Sequence, residues 1–326
     1  MSELMPKLKQ KPDLKPKLKP ELMQDTIRAI LAEIETVVLG KPTECRLALT
    51  CILAKGHLLI EDLPGMGKTT LAHTLAHTLN LSYQRTQFTN DLLPADILGI
   101  SIFNTNTHTF ELHKGPIFNQ VVLADEINRA SPKTQSALLE AMEERQVTVD
   151  GQTMALPNPF FVIATQNPLS QSGTYPLPES QLDRFLMRIE LGYPDSTAER
   201  MMLKGGDGRS QLDTVEQCIS LESLFSLQAQ VAEVRASDAI LDYLQRLVEY
   251  SRTAADFAYG LSPRATLALL QAAKSWALIE QRRHVIPEDV QAVLPSVAAH
   301  RLTADGNVHS SGKALVQQML DTVSVV

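Results

Sequence analysis

The chain has 326 residues, 44% hydrophobic and 21% charged, which suits a globular protein large enough for two domains. No apolar run reaches the length of a membrane span, and the basic N-terminus lacks the apolar stretch and cleavage site of a secretory leader. The net charge of −7 divides into +4 over residues 1–20, where six lysines face Glu3 and Asp13, and −11 over the rest; an acidic body argues against a protein built mainly to hold nucleic acid, while leaving room for a local basic channel.

Residues 1–20 are low-complexity, with prolines at 6, 12, 16 and 20 and K-L-K twice, and are expected to form a solvated, extended tail. Helical periodicity runs from Glu21 to about Val38, breaks at LGKP (39–42), and resumes over 43–54. HLLIE (57–61) reads as a short strand, followed by the loop of EDLPGMGKTT (61–70) and a helix over 68–79. Strand, glycine-rich loop, helix is the setting of a phosphate-binding loop, in which backbone N–H groups at a helix N-terminus face an anion. Gly65 and Gly67 permit the turn, Pro64 stiffens it, Lys68 can reach β- and γ-phosphates, and Thr69 can hold Mg²⁺. The usual pattern, G-x-x-x-x-G-K-[ST], would place a glycine where this chain has Asp62.

Further strands are predicted at Tyr83–Phe88, Val121–Ala124 and Phe160–Ala164, the last two apolar throughout, as in a parallel sheet buried on both faces. A helix over 132–145 lies between them. Two hairpins interrupt the scheme: ISIF (100–103) with TFEL (109–112), and QVTVDGQTM (146–154), where Asp150-Gly151 favours a two-residue turn. After Gly192-Tyr193-Pro194 the strands largely stop. Helices are expected over about 196–204, 223–233, 238–253, 263–281 and 287–300, with start signals at Ser262-Pro263 and Pro287-Glu288-Asp289 and a break at KGGDG (204–208). The predicted organisation is a tail (1–20), an α/β nucleotide-binding domain (21–194) and a small helical domain (195–326).

Four further elements carry chemistry. VVLADE (121–126) ends an apolar strand in two acids: Asp125 can position a Mg²⁺ shell and Glu126 can orient and deprotonate water. IATQNP (163–168) sets Asn167 at a strand end, where it either touches a γ-phosphate or serves a turn. LDRFLMR (182–188) offers Arg184. GLSPRA (260–265) puts Arg264 in the first turn of a helix, where a cation opposes the dipole and calls for an anionic partner such as a nucleotide; a surface ion pair is the alternative for either arginine. His73 and His77 are four apart on the helix after the loop, but with no third ligand they read as an ordinary helix face, and Trp276 as core. Gln87, ending its strand, could act as a switch on Glu126. The three cysteines, Cys45, Cys51 and Cys218, lack zinc spacing and suit free thiols in the cytoplasm.

In order, these elements resemble the AAA+ ATPases, and the wording of QFTNDLLPADILG (87–99), GPIF (115–118), LADEINRA (123–130), KTQSALLEAMEERQVTV (133–149), FVIATQNP (161–168), GTYPLPE (173–179), QLDRF (181–185) and LGYP (191–194) resembles the MoxR family over about residues 21–300. The resemblance implies an ATP hydrolase with ATP and Mg²⁺ as cofactors. Pro64, Gly65, Met66, Gly67, Lys68, Thr69 and Thr70 match Walker A, Asp125 and Glu126 match Walker B, and Asn167 matches sensor 1. Arg184 matches an arginine finger acting on the neighbouring subunit, Arg264 matches sensor 2, and Val38-Leu39-Gly40 matches the segment at the adenine. It further implies helix-2 and pre-sensor-1 insert hairpins, a homo-oligomeric ring, most often a hexamer, and a partner with a von Willebrand factor A domain whose client is remodelled, matured or loaded with metal. A nucleic-acid-dependent motor and a chelatase-like motor subunit are the alternative readings; the polar, uncharged NTNTHT (104–109) disfavours the first.

Overall fold

The computed structural model describes residues 20–168, 173–204, 215–305 and 311–325. The Lys/Pro-rich tail, apart from Pro20 at the start of the first helix, and all of KGGDG but Lys204 lie outside them. Two helices, α1 (Pro20–Val37) and α2 (Pro42–Leu53), precede β1 (Leu58–Glu61). Then follow α3 (Lys68–Thr78), β2 (Tyr83–Gln87), α4 (Pro94–Leu98), the hairpin β3 (Gly99–Asn104) and β4 (Thr109–Lys114), and β5 (Val121–Asp125). Next come α5 (Pro132–Glu144), the hairpin β6 (Gln146–Val149) and β7 (Gln152–Ala155), β8 (Phe161–Gln166), α6 (Glu179–Leu182) and β9 (Met187–Ile189).

Five of these strands form one parallel sheet in the order β2-β5-β8-β1-β9. β5 is buried throughout and β8 nearly so, as their apolar runs require, whereas β2 (YQRTQ) is an edge strand and largely polar. Alternate residues point to opposite faces: Leu58 and Ile60 join one core with α1, α2 and α3, and Leu59 joins the other with Leu138 and Leu139 of α5. In the second hairpin Asp150 and Gly151 both take positive φ, 50° and 78°, the geometry that Asp-Gly was expected to supply.

Beyond β9 the chain is mostly helical: α7 (Ser196–Leu203), α8 (Leu221–Glu233), α9 (Asp238–Thr253), α10 (Pro263–Ile279), α11 (Pro287–Ala298) and α12 (Gly312–Thr322). The starts behave as their residues dictate. The Ser262 hydroxyl accepts the Ala265 N–H at 3.1 Å, and Asp289 accepts the Ile286 N–H at 2.9 Å. These helices do not stand clear of the first core. Gln228 of α8 donates to the Ile52 carbonyl (3.0 Å) and Ser275 of α10 to that of Thr50 (2.9 Å), so α2 is shared between the sheet and the C-terminal helices. Trp276 packs half-buried against this core. The sequence reading missed the short helices α4 and α6, the strand β9, the ribbon of β10 (Phe257–Tyr259) with β11 (Thr303–Ala304), and α12.

Candidate nucleotide site

The strand order sets β1 beside β8 and β8 beside β5, so the loops after three strands gather at the carboxyl edge of the sheet, where ligands of open α/β folds bind. The loop after β1 turns through Gly65 (φ 84°) and Gly67 (φ 85°); a Cβ at either would meet nothing within 4 Å, so the backbone angle and not space demands glycine. Lys68 opens α3 and is buried. Its ammonium donates to the Asp62 carbonyl at 2.5 Å and to the Gln166 carbonyl at 3.2 Å. Burial pulls its pKa below the ordinary lysine value, against the opposing charges of Asp62, Asp125, Glu126 and Glu61. Asp62, standing where the usual pattern has glycine, is itself buried. One carboxylate oxygen accepts the Leu63 N–H (2.7 Å) and the other the N–H of Gly192 (2.6 Å). It ties the phosphate loop to the turn that leads into the C-terminal helices.

Across the loop, Asp125 ends β5. Its Oδ1 accepts the Thr165 hydroxyl at 2.6 Å, and that hydroxyl in turn accepts the Glu126 N–H at 2.8 Å. Glu126 has left-handed backbone geometry (φ 55°, ψ 50°), which costs a non-glycine residue about 1 kcal/mol, and the Thr165 bond holds it there. Arg85 donates to Asp125 Oδ2 from Nε (3.0 Å) and Nη2 (2.7 Å). Gln87 and Arg129 both donate to Glu126 Oε2, at 3.0 and 2.9 Å. Gln87 therefore does touch Glu126. Arg85 and Thr165 went unread in the sequence; the signal for Thr165 was a hydroxyl one step past the buried apolar stretch of the strand adjoining Asp125.

Lys68, Arg85, Gln87, Asp125 and Glu126 line one cleft of about 480 Å³, together with the phosphate loop from Pro64 to Thr70 and Asn167. The lining also includes Val37, Val38, Leu39 and Lys41 from the end of α1 and the turn after it, and Gly192 and Pro194 from the turn after β9. Lys41 fastens the two turns by donating to the Tyr193 carbonyl at 2.7 Å. Gly40 is not on the lining. It makes the turn (φ 70°) beneath it, where a Cβ would stand 2.7 Å from the Ala198 Cβ of α7, so its glycine answers to close approach and backbone angle.

The two arginines lie elsewhere. Arg184 and Arg264 line a separate cleft of about 240 Å³, and both pair with the carboxylate of Glu143 on α5. Arg184 reaches Oε2 at 3.2 Å and Arg264 takes Oε1. The anionic partner expected for Arg264 is thus Glu143 in this chain and not a group in the cleft of Lys68.

Comparison with known proteins fits this geometry. The profile described as "ATPase family associated with various cellular activities (AAA)" matches residues 57–187, and one described as "AAA lid domain" matches 249–319. Chaperone MoxR1 of Mycobacterium tuberculosis is 39% identical over 313 residues, 92% of this chain and 82% of the relative. Protein MoxR of Paracoccus denitrificans is 32% identical over 319 residues, 89% and 92% of the two chains. The chain belongs to the MoxR family of AAA+ ATPases. The YeaC protein of Bacillus subtilis (strain 168) is 46% identical over 295 residues, 90% of this MoxR-family chain and 92% of YeaC. A crystal structure from Cytophaga hutchinsonii superposes with a TM-score of 0.87 at 36% identity, covering 94% of this chain and 96% of the other.

For a MoxR-family ATPase the donors in the main cleft suit Mg²⁺. Thr69 offers a hydroxyl and Asp125 a carboxylate, both oxygen ligands, and no cluster of three or more His, Cys, Asp or Glu side chains able to hold a metal occurs among the described residues. Mg²⁺ is commonly held by one or two protein oxygens, with phosphates and water completing its shell. Among the same residues no helix is long and apolar enough to cross a membrane.

Proposed function

We propose that this chain is one subunit of a homo-oligomeric ring, in its simplest form a cytoplasmic hexamer, that couples ATP binding and Mg²⁺-dependent hydrolysis to the remodelling, maturation or metal-loading of a client protein. The observation that carries the ring is the separation of the arginines: Lys68, Thr69, Asp125, Glu126 and Asn167 share one cleft, while Arg184 and Arg264 share another. Beyond Lys68, a further cation on the transferring phosphate speeds hydrolysis, and a neighbour's second cleft would supply two. Both arginines then act in trans, on the ATP of the next subunit.

Within the main cleft the residues divide the work. The backbone of Pro64 to Thr70 cradles the phosphates, Lys68 leaves its two carbonyls for the β- and γ-oxygens, and Val38 and Leu39 hold the base. Thr69 and Asp125 would hold Mg²⁺, which when bound neutralises phosphate charge. Glu126 takes the proton of the attacking water, Asn167 orients that water, and Gln87 and Arg129 restrain Glu126 until needed. The α/β domain (21–194) carries this site and the helices of 195–326 serve as the lid that moves with nucleotide state.

The β3–β4 hairpin supports a client-facing role, since Ile100, Ile102, Phe103 and Phe110 are exposed there and Phe110 is 73% accessible. The relative in Mycobacterium tuberculosis is described as a chaperone, and the family resemblance supports a partner bearing a von Willebrand factor A domain. The test is ATP hydrolysis per subunit across protein concentrations, with and without Mg²⁺ and single-stranded DNA, beside Lys68→Ala and Arg184→Ala. A specific rate that rises with concentration, needs Mg²⁺ and falls about 10³-fold in both variants is expected. A concentration-independent rate that survives Arg184→Ala would refute the shared site, and stimulation by DNA would favour a nucleic-acid motor.

A further inference from the structure

Arg301 follows α11, deep in the C-terminal helices, with its side chain only 5% exposed. A guanidinium has five N–H donors. Nε donates to Asp183 Oδ1 (2.7 Å), Nη1 to the carbonyls of Leu186 (3.1 Å) and Val297, and Nη2 to those of Asp183 (3.2 Å) and Phe185 (2.7 Å). Four of the five acceptors belong to residues 183–186, the turn that bears Arg184. The carbonyls of such a turn, just past the short helix α6, have no helical partner and need outside donors. His300, kept neutral by burial, adds a bond from Nε2 to the Phe185 carbonyl at 3.2 Å. The other oxygen of Asp183 accepts the Ser262 hydroxyl at 3.3 Å. Ser262 caps α10, on which Arg264 is the second residue.

We propose that Arg301 is a positioning residue: with Asp183 and Ser262 it locks the turn of Arg184 to the starting end of α10, so that Arg184 and Arg264 are presented to the neighbouring subunit's nucleoside triphosphate as one preset pair. This rests on the trans reading of Arg184 given above. From the α/β side the turn is held by the Leu186 N–H to the His57 carbonyl (2.9 Å), after which β9 begins, and by Phe185, buried in the core with Leu59 and Leu138. The aim of Arg184 is therefore set jointly by Glu143 of α5, at 3.2 Å, and by the helices beyond residue 195 through Arg301, so that a change in the orientation of those helices in one subunit alters the cation offered to the next. A displacement of about 1 Å in a reacting group can cost about a hundredfold in rate.

Mixed rings test this. A Glu126→Gln subunit keeps its arginines but cannot hydrolyse; an Arg184→Ala subunit keeps its nucleotide cleft but offers no finger. Mixed, they should regain hydrolysis that neither shows alone. Arg301→Lys, which retains charge but supplies three donors, should abolish most of the regain when placed in the Glu126→Gln subunit, by about tenfold or more. In the Arg184→Ala subunit it should leave the regained rate within about twofold. Asp183→Asn, which keeps the side-chain shape, should show the same asymmetry, and melting temperature and ring size are measured for each. If Arg301→Lys does not fold, Asp183→Asn alone decides. Equal losses in both placements, or none in either, would overturn the clamp while leaving the shared site intact. No regain in the parent mixture would remove the trans reading and the clamp with it.

Discussion

Restoring the usual phosphate-loop glycine should harm this protein. In Asp62→Gly the loop loses two bonds to a buried carboxylate, at 2.7 Å to the Leu63 N–H and 2.6 Å to the Gly192 N–H. Hydrogen bonds to charged groups contribute about 1.5–3 kcal/mol each, and glycine adds roughly 0.5–1 kcal/mol of backbone entropy to the unfolded chain. Relief of the buried charge offsets part of this, leaving a destabilisation of about 3 kcal/mol. Asp62→Asn keeps one acceptor and should lose about half as much. Asp62 also stands first among the charges opposing the burial that lowers the Lys68 pKa, so its removal favours the neutral amine and weakens the hold on phosphate. Urea unfolding at pH 7 and calorimetric titration with ADP measure both effects. A glycine variant as stable as the parent that binds ADP at least as tightly would refute the reasoning.

Three other outcomes are expected. Thr165→Val keeps the shape but removes the hydroxyl between Asp125 and the Glu126 N–H; it should cost about 2 kcal/mol and lower kcat more than it raises KM, read by unfolding and steady-state kinetics. Gly40→Ala should lower the melting temperature by several degrees, through a destabilisation of about 2 kcal/mol from the contact with Ala198 and the positive φ, and weaken binding of a fluorescent adenine nucleotide. The stability of the whole protein should decline as pH falls from 6.5 toward 4. Burial depresses His57 from 6.5 to about 4, with the charge of Arg145 adding to it, and the Nδ1 that accepts the Val162 N–H (2.9 Å) fits the neutral ring. The unfolded chain binds that proton first, so the contribution is complete above pH 6.5 and reaches roughly 3 kcal/mol; in His57→Asn the pH slope should flatten, as unfolding at stepped pH would reveal.

The sequence made β1, β5 and β8 legible because strands buried on both faces need unbroken apolar runs. The same logic concealed β9, three residues long with Arg188 at its centre, paired to Glu61 at 2.7 Å. Lys68, Asp125, Glu126 and Asn167 could be expected together because each lies at or beyond the carboxyl end of a strand, and parallel strands bring those ends to one edge. No local pattern reveals which cleft an arginine faces, since that depends on how α6 and α10 fold back toward α5; hence the meeting of Arg184 and Arg264 on Glu143 emerged only in three dimensions. Gly40, grouped with Val38 and Leu39 at the adenine by the family resemblance, lies off the cleft lining in a turn packed against Ala198 of α7, a long-range contact that no local pattern carries.

β2 borders the sheet and is hydrogen-bonded on one side only, to β5. Arg85 and Gln87, the side chains that grip Asp125 and Glu126, are carried on that border strand, and the chain runs on from it through α4 into the exposed β3–β4 hairpin. The exposed hairpin and the two acids are thus joined by a short run of chain, with one border strand in common.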